Sequence, residues 1–381
     1  MSFDLDDSRL AAIAWSRLIE PGDEVAGTLI SNLGVSEALR WLYDFKPEPP
    51  PPGPPTAASR LAASASNWQM RLSSLDPNAD QASARRVGAR LLTPADDQWP
   101  AAFADLGIAA PLVLWVRGDL DLAAAGTRSA SLVGARAATG YGEQVASQMA
   151  AELAERGFTI ISGGAYGIDA AAHRGSLAAG AGTVAYLACG IDRFYPLGNT
   201  EMLREVTRRG AVVSELPPGA APYRNRFLAR NRLIAAAGSA KVVVEAAWRS
   251  GALSTARHAA TLLRPVGAVP GPVTSMASAG CHQLIRDGIA VLVTDGAEVA
   301  ELAGKLGPDT KQPTLFEGRP ADGLTPEQRQ VLDALPVKRF AEISTLVVSA
   351  GLAFSAVVSS LGILESRGLA ATNGQGWRRA G

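Results

Sequence analysis

The side chains best equipped for chemistry in this sequence are guanidinium groups. In PYRNRFLARNRLIAAAG, residues 222–238, Arg224, Arg226, Arg230 and Arg232 fall within nine residues with no acidic neighbour, interleaved with Asn225, Phe227 and Asn231. On a helix Arg226 and Arg230 stand one turn apart, and two guanidinium forks would face adjacent phosphates. The bland alternative is a solvated helix face paired with carboxylates elsewhere. A second set is glycine-rich. SGGAYGIDAAAH, residues 162–173, follows the apolar run FTIIS and places Ser162, Gly163 and Gly164 where a strand hands over to a helix. One strand earlier, GARAATGYG brings Gly134 and Arg136 to the same kind of junction. Bare backbone there either serves a tight turn or leaves N–H groups and a helix dipole free for an anion. Phe194 and Tyr195, in IDRFYP, offer a flat face to a base or a plug against the core, and spacing alone decides neither.

Groups for turnover are sparse. His173 and His258 lie among alanines in expected helices, and Cys281–His282 is adjacent rather than at metal-ligand spacing, so no catalytic residue, cofactor or metal site is expected. A nicotinamide site requires G-x-G-x-x-G and an acidic residue closing the second strand; here that strand closes on Ser162, Gly163 and Gly164. The phosphate loop G-x-x-x-x-G-K-[ST] is missing as well. Asp169, Glu215 and Glu245 fall near strand ends, without a paired-carboxylate or serine–histidine arrangement. Binding is the expectation rather than catalysis.

The elements that must position these groups read as an α/β fold. From about residue 110 to 303, continuous apolar runs such as SASLVG, TIIS, TVAYLA, AVVSE and KVVVEA alternate with helical periodicity. Runs of this kind indicate strands buried on both faces, hence a Rossmann-like, doubly wound parallel sheet. The expected organisation is a helical N-terminal domain over 1–95 interrupted by a proline-rich spacer at 46–55, the Rossmann-like domain over 96–303, a linker over 304–323 and a winged-helix-like domain over 324–381. In the last, the helix expected around 355–367 carries one arginine and is mostly apolar, which suits a protein contact better than a major groove.

Bulk composition sets limits. Thirty-six basic and 36 acidic residues cancel, so a polyanion partner rests on the local cluster and not on overall charge. Two distant cysteines suggest no disulfide framework, MSFDLDDSRL lacks the basic and apolar regions of a signal peptide, and no run of 18 apolar residues occurs. The expectation is a cytoplasmic protein with no membrane partner.

In order along the chain, VGARAATGYG, SGGAYGIDAAAH, ACGIDRFYP, SELPPG, FLARNRLIAA, VVVEAAWRSGALSTA, AVPGPVTSMASAGCHQLI and IRDG resemble the DNA-processing protein A (DprA/Smf) family over roughly residues 95–300. The resemblance implies a non-enzymatic recombination mediator that binds and protects single-stranded DNA, helps load RecA during natural transformation, and forms a homodimer through the Rossmann domain. It implies DNA contacts from Arg136, the backbone around Gly163 and Gly164, and the Arg230–Asn231–Arg232 motif. Tyr166 stands where the family carries an arginine, which leaves a stacking surface. YPLGN lacks the family's nearby lysine, a charge that either Arg193 supplies or the pocket goes without. A second reading is a phosphoribohydrolase-like enzyme using Glu245, although the proline–glycine–glycine turn of such enzymes is missing. A third is a duplex-DNA regulator working through the C-terminal domain.

Overall fold

Apolar strands that expose no face to water need helices on both sides, and the chain supplies them. The computed structural model describes residues 3–46, 56–304, 309, 323–337 and 339–380. Apart from Lys46, the expected proline-rich spacer lies outside the described residues, as does the expected linker apart from Gly304, Asp309 and Gly323. The chain divides into two compact units, 1–311 and 312–381.

The first unit opens with helices α1 (Ser8–Leu18), α2 (Glu24–Leu33), α3 (Val35–Asp44), α4 (Ala57–Leu72) and α5 (Pro77–Arg86). Asp7, Asp23, Thr56 and Asp76 cap α1, α2, α4 and α5 by accepting backbone N–H bonds. Trp15, Leu18, Leu39, Leu42 and Trp68 fill the space between these helices. Then follow β1 (Ala89–Leu92), β2 (Leu114–Arg117), α6 (Leu122–Thr127), β3 (Ser129–Val133), α7 (Gly140–Glu155), β4 (Thr159–Ser162), α8 (Ile168–Ala178), β5 (Thr183–Leu187), α9 (Thr200–Arg209) and β6 (Ala211–Ser214). The unit closes with α10 (Arg224–Ala237), β7 (Ala240–Val243), α11 (Gly251–Thr261), β8 (Val266–Ala268), α12 (Ala279–Arg286), β9 (Val291–Leu292) and α13 (Gly296–Ala303).

The sheet order is β1-β2-β6-β5-β4-β3-β7-β8-β9. From β6 to β9 every pair is parallel, with registers such as Ala130↔Ile160 and Ala130↔Ala240, whereas β1 and β2 extend the β6 edge antiparallel. Every residue of β3, β5, β6 and β7 is buried. One face packs Met149, Leu153 and Ile168 from α7 and α8; the other packs Leu233, Ile234, Leu253 and Leu284 from α10, α11 and α12. This is the doubly wound α/β fold expected from the apolar runs. Strand order reverses between β3 and β7, where such sheets open a crevice at their carboxyl ends. Two guanidiniums extend the unit back to the N-terminal helices: Arg226 pairs with Glu20, and Arg17 donates to Pro218 O and pairs with Asp80.

The second unit comprises α14 (Pro326–Ala334), α15 (Ile343–Ala350), α16 (Phe354–Ser366) and the hairpin β10 (Ala370–Thr372)–β11 (Trp377–Arg379). Thr325 and Gln328 form a reciprocal capping box on α14, and Val331, Leu346, Val357, Leu361 and Leu364 make its core. Among the described residues no single helix is long and apolar enough to cross a membrane.

Candidate nucleic-acid interface

The reversal in strand order is occupied by a cleft of about 640 Å³. The loop after β3 lines it with Gly134 and Arg136, α10 with Arg224, Phe227, Arg230 and Asn231, and the loop after β7 with Arg249, Ser250 and Gly251. Four arginines therefore face one carboxylate, Asp169. The site is strongly cationic although the whole chain is neutral.

Each arginine arrives for a local reason. The C-terminal half of α10, Leu233–Ala237, runs buried against the sheet, and this draws Arg230, Asn231 and Arg232 inward. Arg230 is 6% exposed and donates through Nη1 to Gly163 O at 2.7 Å and to Tyr186 O. Burial lowers its pKa to about 10, an effect the Asp169 charge opposes and the Arg136 charge reinforces, so it remains a cation at neutral pH. Burial pushes the Asp169 carboxyl up, against the Arg230 charge and the N–H groups of Ala165 and Gly163. Arg136 is exposed, with its guanidinium 4.6 Å from the centre of the Phe227 ring. Arg224 stands at the start of α10, and Arg249 at a turn closed by Ser250 N–H to Ala247 O at 2.9 Å. Among the described residues Arg136, Arg224 and Arg249 have no carboxylate within ion-pair distance. A polyanion would find three exposed, unpaired guanidiniums above a fourth that is fixed.

The glycines have a different task from the expected one. A Cβ on Gly163 would overlap the Arg230 guanidinium, so the bare backbone makes room for the chain's own arginine. The N–H groups of Gly163 and Ala165 point to Asp169 Oδ2 at 3.2 and 3.4 Å and are not open to an anion. Gly164 is required by its φ of +67°. A Cβ on Gly134 would strike Ile168 and, at 2.9 Å, Glu245 O. The positive charge of the cleft comes from guanidiniums, not from an amide ledge.

Of the residues expected to act together, Gly134, Arg136, Arg224, Arg230 and Asn231 meet in the cleft. Several others do not. Arg226 is bound bidentately by Glu20, at 2.7 and 2.8 Å, so its fork does not join Arg230 in facing phosphates. Arg232 turns to the other side of α10, where it grips Glu215 at 2.7 and 2.8 Å and donates to Ala109 O. Ser162 is buried with its hydroxyl donating to Leu132 O. Phe194 packs in the core beside Leu187 and Cys189, with the Arg117 guanidinium 4.6 Å from its ring centre, so the plug is the reading the structure supports; Tyr195 lines the cleft instead. Arg193 reaches Gly219 O and lies 3.9 Å from Asp192, away from the cleft lining. Tyr166 is 48% exposed but outside that lining, its hydroxyl accepting from Gly198 N–H. Sequence reasoning missed Arg249 and Ser250, whose one signal was a cation beside the SG step after an apolar run. His173 is buried, with Nδ1 2.8 Å from Thr183 Oγ1 and its pKa lowered to about 3, mainly by burial. Glu245 is buried against the start of α7, accepting from Thr139 N–H and Oγ1–H, and does not line the cleft.

The profile of the family described as DNA recombination-mediator protein A matches residues 90–304. The chain belongs to that family. A DprA-type protein of Mycobacterium tuberculosis is 48% identical over 311 residues, covering 78% of this chain and 79% of the relative. The Streptococcus pneumoniae DNA processing protein DprA is 38% identical over 204 residues, covering 54% and 71%. The crystal structure of DprA from Streptococcus pneumoniae superposes with a TM-score of 0.62 at 29% identity, covering 78% of this chain and 98% of that one. A structure of the Helicobacter pylori protein, described for its single-stranded DNA binding mode, gives a TM-score of 0.50 at 29% identity, covering 55% and 93%. The matched span begins at β1 and ends at α13, so the family resemblance and the nine-stranded sheet coincide.

Proposed function

We propose that this chain is a recombination mediator that binds single-stranded DNA in the cleft between β3 and β7 and passes the strand to the recombinase RecA. The observation carrying the reading is the set of unpaired guanidiniums, Arg136, Arg224 and Arg249, arrayed over the buried Arg230. Phosphates engage the exposed arginines, while Phe227 and Tyr195 give the cleft apolar faces for bases. Binding of this kind needs no cofactor and no turnover. Burial of Glu245 and His173 away from the cleft supports a non-enzymatic role over glycosidic hydrolysis.

The protein acts in the cytoplasm and as a homodimer; the dimer is supported by the outer strand β9, whose Val291 and Leu292 are about half exposed on an edge that no strand of the described residues pairs with. The division into a helical N-terminal domain, a Rossmann-like DNA-binding domain and a winged-helix-like domain belongs to the same proposal. Phe354 and Val358 on α16, and Val348 on α15, are exposed and support a protein contact for the C-terminal unit rather than groove reading.

A salt titration tests the cleft. Log affinity for an oligothymidine should fall with log salt at a slope of about −2 to −3, at roughly −0.7 for each arginine–phosphate contact. Competition with duplex of the same length should leave the single strand bound. Preference for duplex, or a slope near zero, would overturn the reading.

A further inference from the structure

We propose that Trp248 is a stacking platform that lets the cleft select single-stranded over duplex nucleic acid; the inference rests on the reading of the cleft as a DNA site. Tryptophan is ordinarily largely buried, because its indole is the largest apolar surface a side chain carries. Most of the chain's tryptophans conform. Trp15, Trp68 and Trp115 are buried in cores, and Trp41 and Trp99 pack on Phe45 and Phe103. Trp248 is 52% exposed, and among the described residues no aromatic ring or cation packs on its face.

Its position gives the exposure a purpose. Trp248 and Arg249 are the two central residues of the turn closed by Ser250 N–H to Ala247 O at 2.9 Å. Arg249, Ser250 and Gly251 line the cleft, and Trp248, itself outside that lining, directly precedes them in the chain at its rim. Both roots of the turn are fixed. Ala246 is buried with its N–H bonded to Ala277 O at 2.7 Å, and Ser250 Oγ caps α11 by accepting from Ala252 N–H. A flat apolar face on a turn anchored at both roots, next to an unpaired arginine, fits a nucleotide with its base unstacked. In duplex both faces of each base are already covered by neighbours, so the indole gains nothing from it. Arg249 then attracts nucleic acid of either form, and Trp248 discriminates between them.

The test uses the full-length protein and its own fluorescence. Titration with a single-stranded oligothymidine should quench tryptophan emission, duplex at the same phosphate concentration should quench it far less, and the quenching should vanish in Trp248→Phe. Trp248→Ala should bind the single strand about fivefold to a hundredfold more weakly, the loss expected of one stacked base, with duplex affinity unchanged. Trp248→Phe should recover most of the binding. Thermal melting of both variants should match the parent, because the side chain supports no core. Single-strand binding with the expected salt slope, but without quenching and with Trp248→Ala unaffected, would overturn the inference and leave the cleft reading intact. So would a drop in mass by light scattering in Trp248→Ala with normal DNA binding, which would make the indole a protein contact. No single-strand binding by the parent protein would sink both.

Discussion

Helix α10 carries two pairs of arginines that the sequence makes look alike. Arg224 and Arg230 line the cleft; Arg226 and Arg232 clamp the helix to Glu20 and Glu215. The difference teaches that an arginine cluster is not in itself a phosphate site. A guanidinium already holding a carboxylate is neutralised, and its fork is geometrically committed. In the proposed reading, what remains for DNA is the unpaired subset, to which Arg136 and Arg249 come from the loops after β3 and β7.

The comparison breaks most visibly at its most buried member. Arg232→Ala leaves Glu215 without its partner in a largely buried place and should cost about 3–5 kcal/mol in denaturant unfolding. A loss below about 1 kcal/mol would show that the clamp is not structural. In the cleft, Arg136→Ala with Arg224→Ala should lower single-strand affinity roughly a hundredfold, at about 1.5 kcal/mol per charge-assisted bond, and flatten the salt slope by about 1.4. Fluorescence anisotropy reads both quantities, and thermal unfolding should change little because both side chains are exposed.

Acid sharpens the same contrast between buried and exposed sides. His173 is kept neutral in the fold by burial and by the Arg230 and Arg174 charges, with a pKa of about 3, whereas the unfolded chain takes up its proton near 6.5. Its contribution to stability is therefore complete above pH 6.5 and is lost as pH falls towards 3. Between pH 7 and pH 5 unfolding free energy should drop by about 2 kcal/mol from this group, and His173→Asn should flatten that slope. An unchanged slope would contradict the buried neutral imidazole. The smallest effect belongs to Glu20→Gln: its carboxylate is half exposed, so stability should fall by only about 0.2–1 kcal/mol and respond to salt. A larger loss would place the Arg226 pair with the buried clamp.

The legibility of the sequence followed the same division. Strands buried on both faces announce themselves as continuous apolar runs, which is why the sheet could be read directly, while the place where its order reverses needed the fold. That Arg136 and Arg224 meet at one cleft was legible in part, Arg136 from its place just after β3 and Arg224 from the arginine cluster that opens α10. The partners of Arg226 and Arg232 were not, since Glu20 lies 206 residues from its arginine and only folding reveals the pair. Gly163 illustrates the limit from the other side: small residues signal a close approach but not what approaches, and here it is Arg230. Phe194 and Tyr195 are neighbours on one loop, and a half-turn of backbone decides which one enters the core. Trp248 sits in an otherwise small and polar stretch, AWRSG, whose residue types do not reveal its exposure.

The central claim is that a single strand lies in the cleft at the β3–β7 reversal, held by guanidiniums from two loops and the start of α10. A structure of the protein with bound oligothymidine tests it most directly. The account predicts phosphate oxygens within hydrogen-bond distance of Arg136, Arg224 and Arg249, with Arg226 and Arg232 still on Glu20 and Glu215. A strand lying instead along α16, or contacting Arg226 and Arg232 while the cleft arginines face solvent, would contradict it.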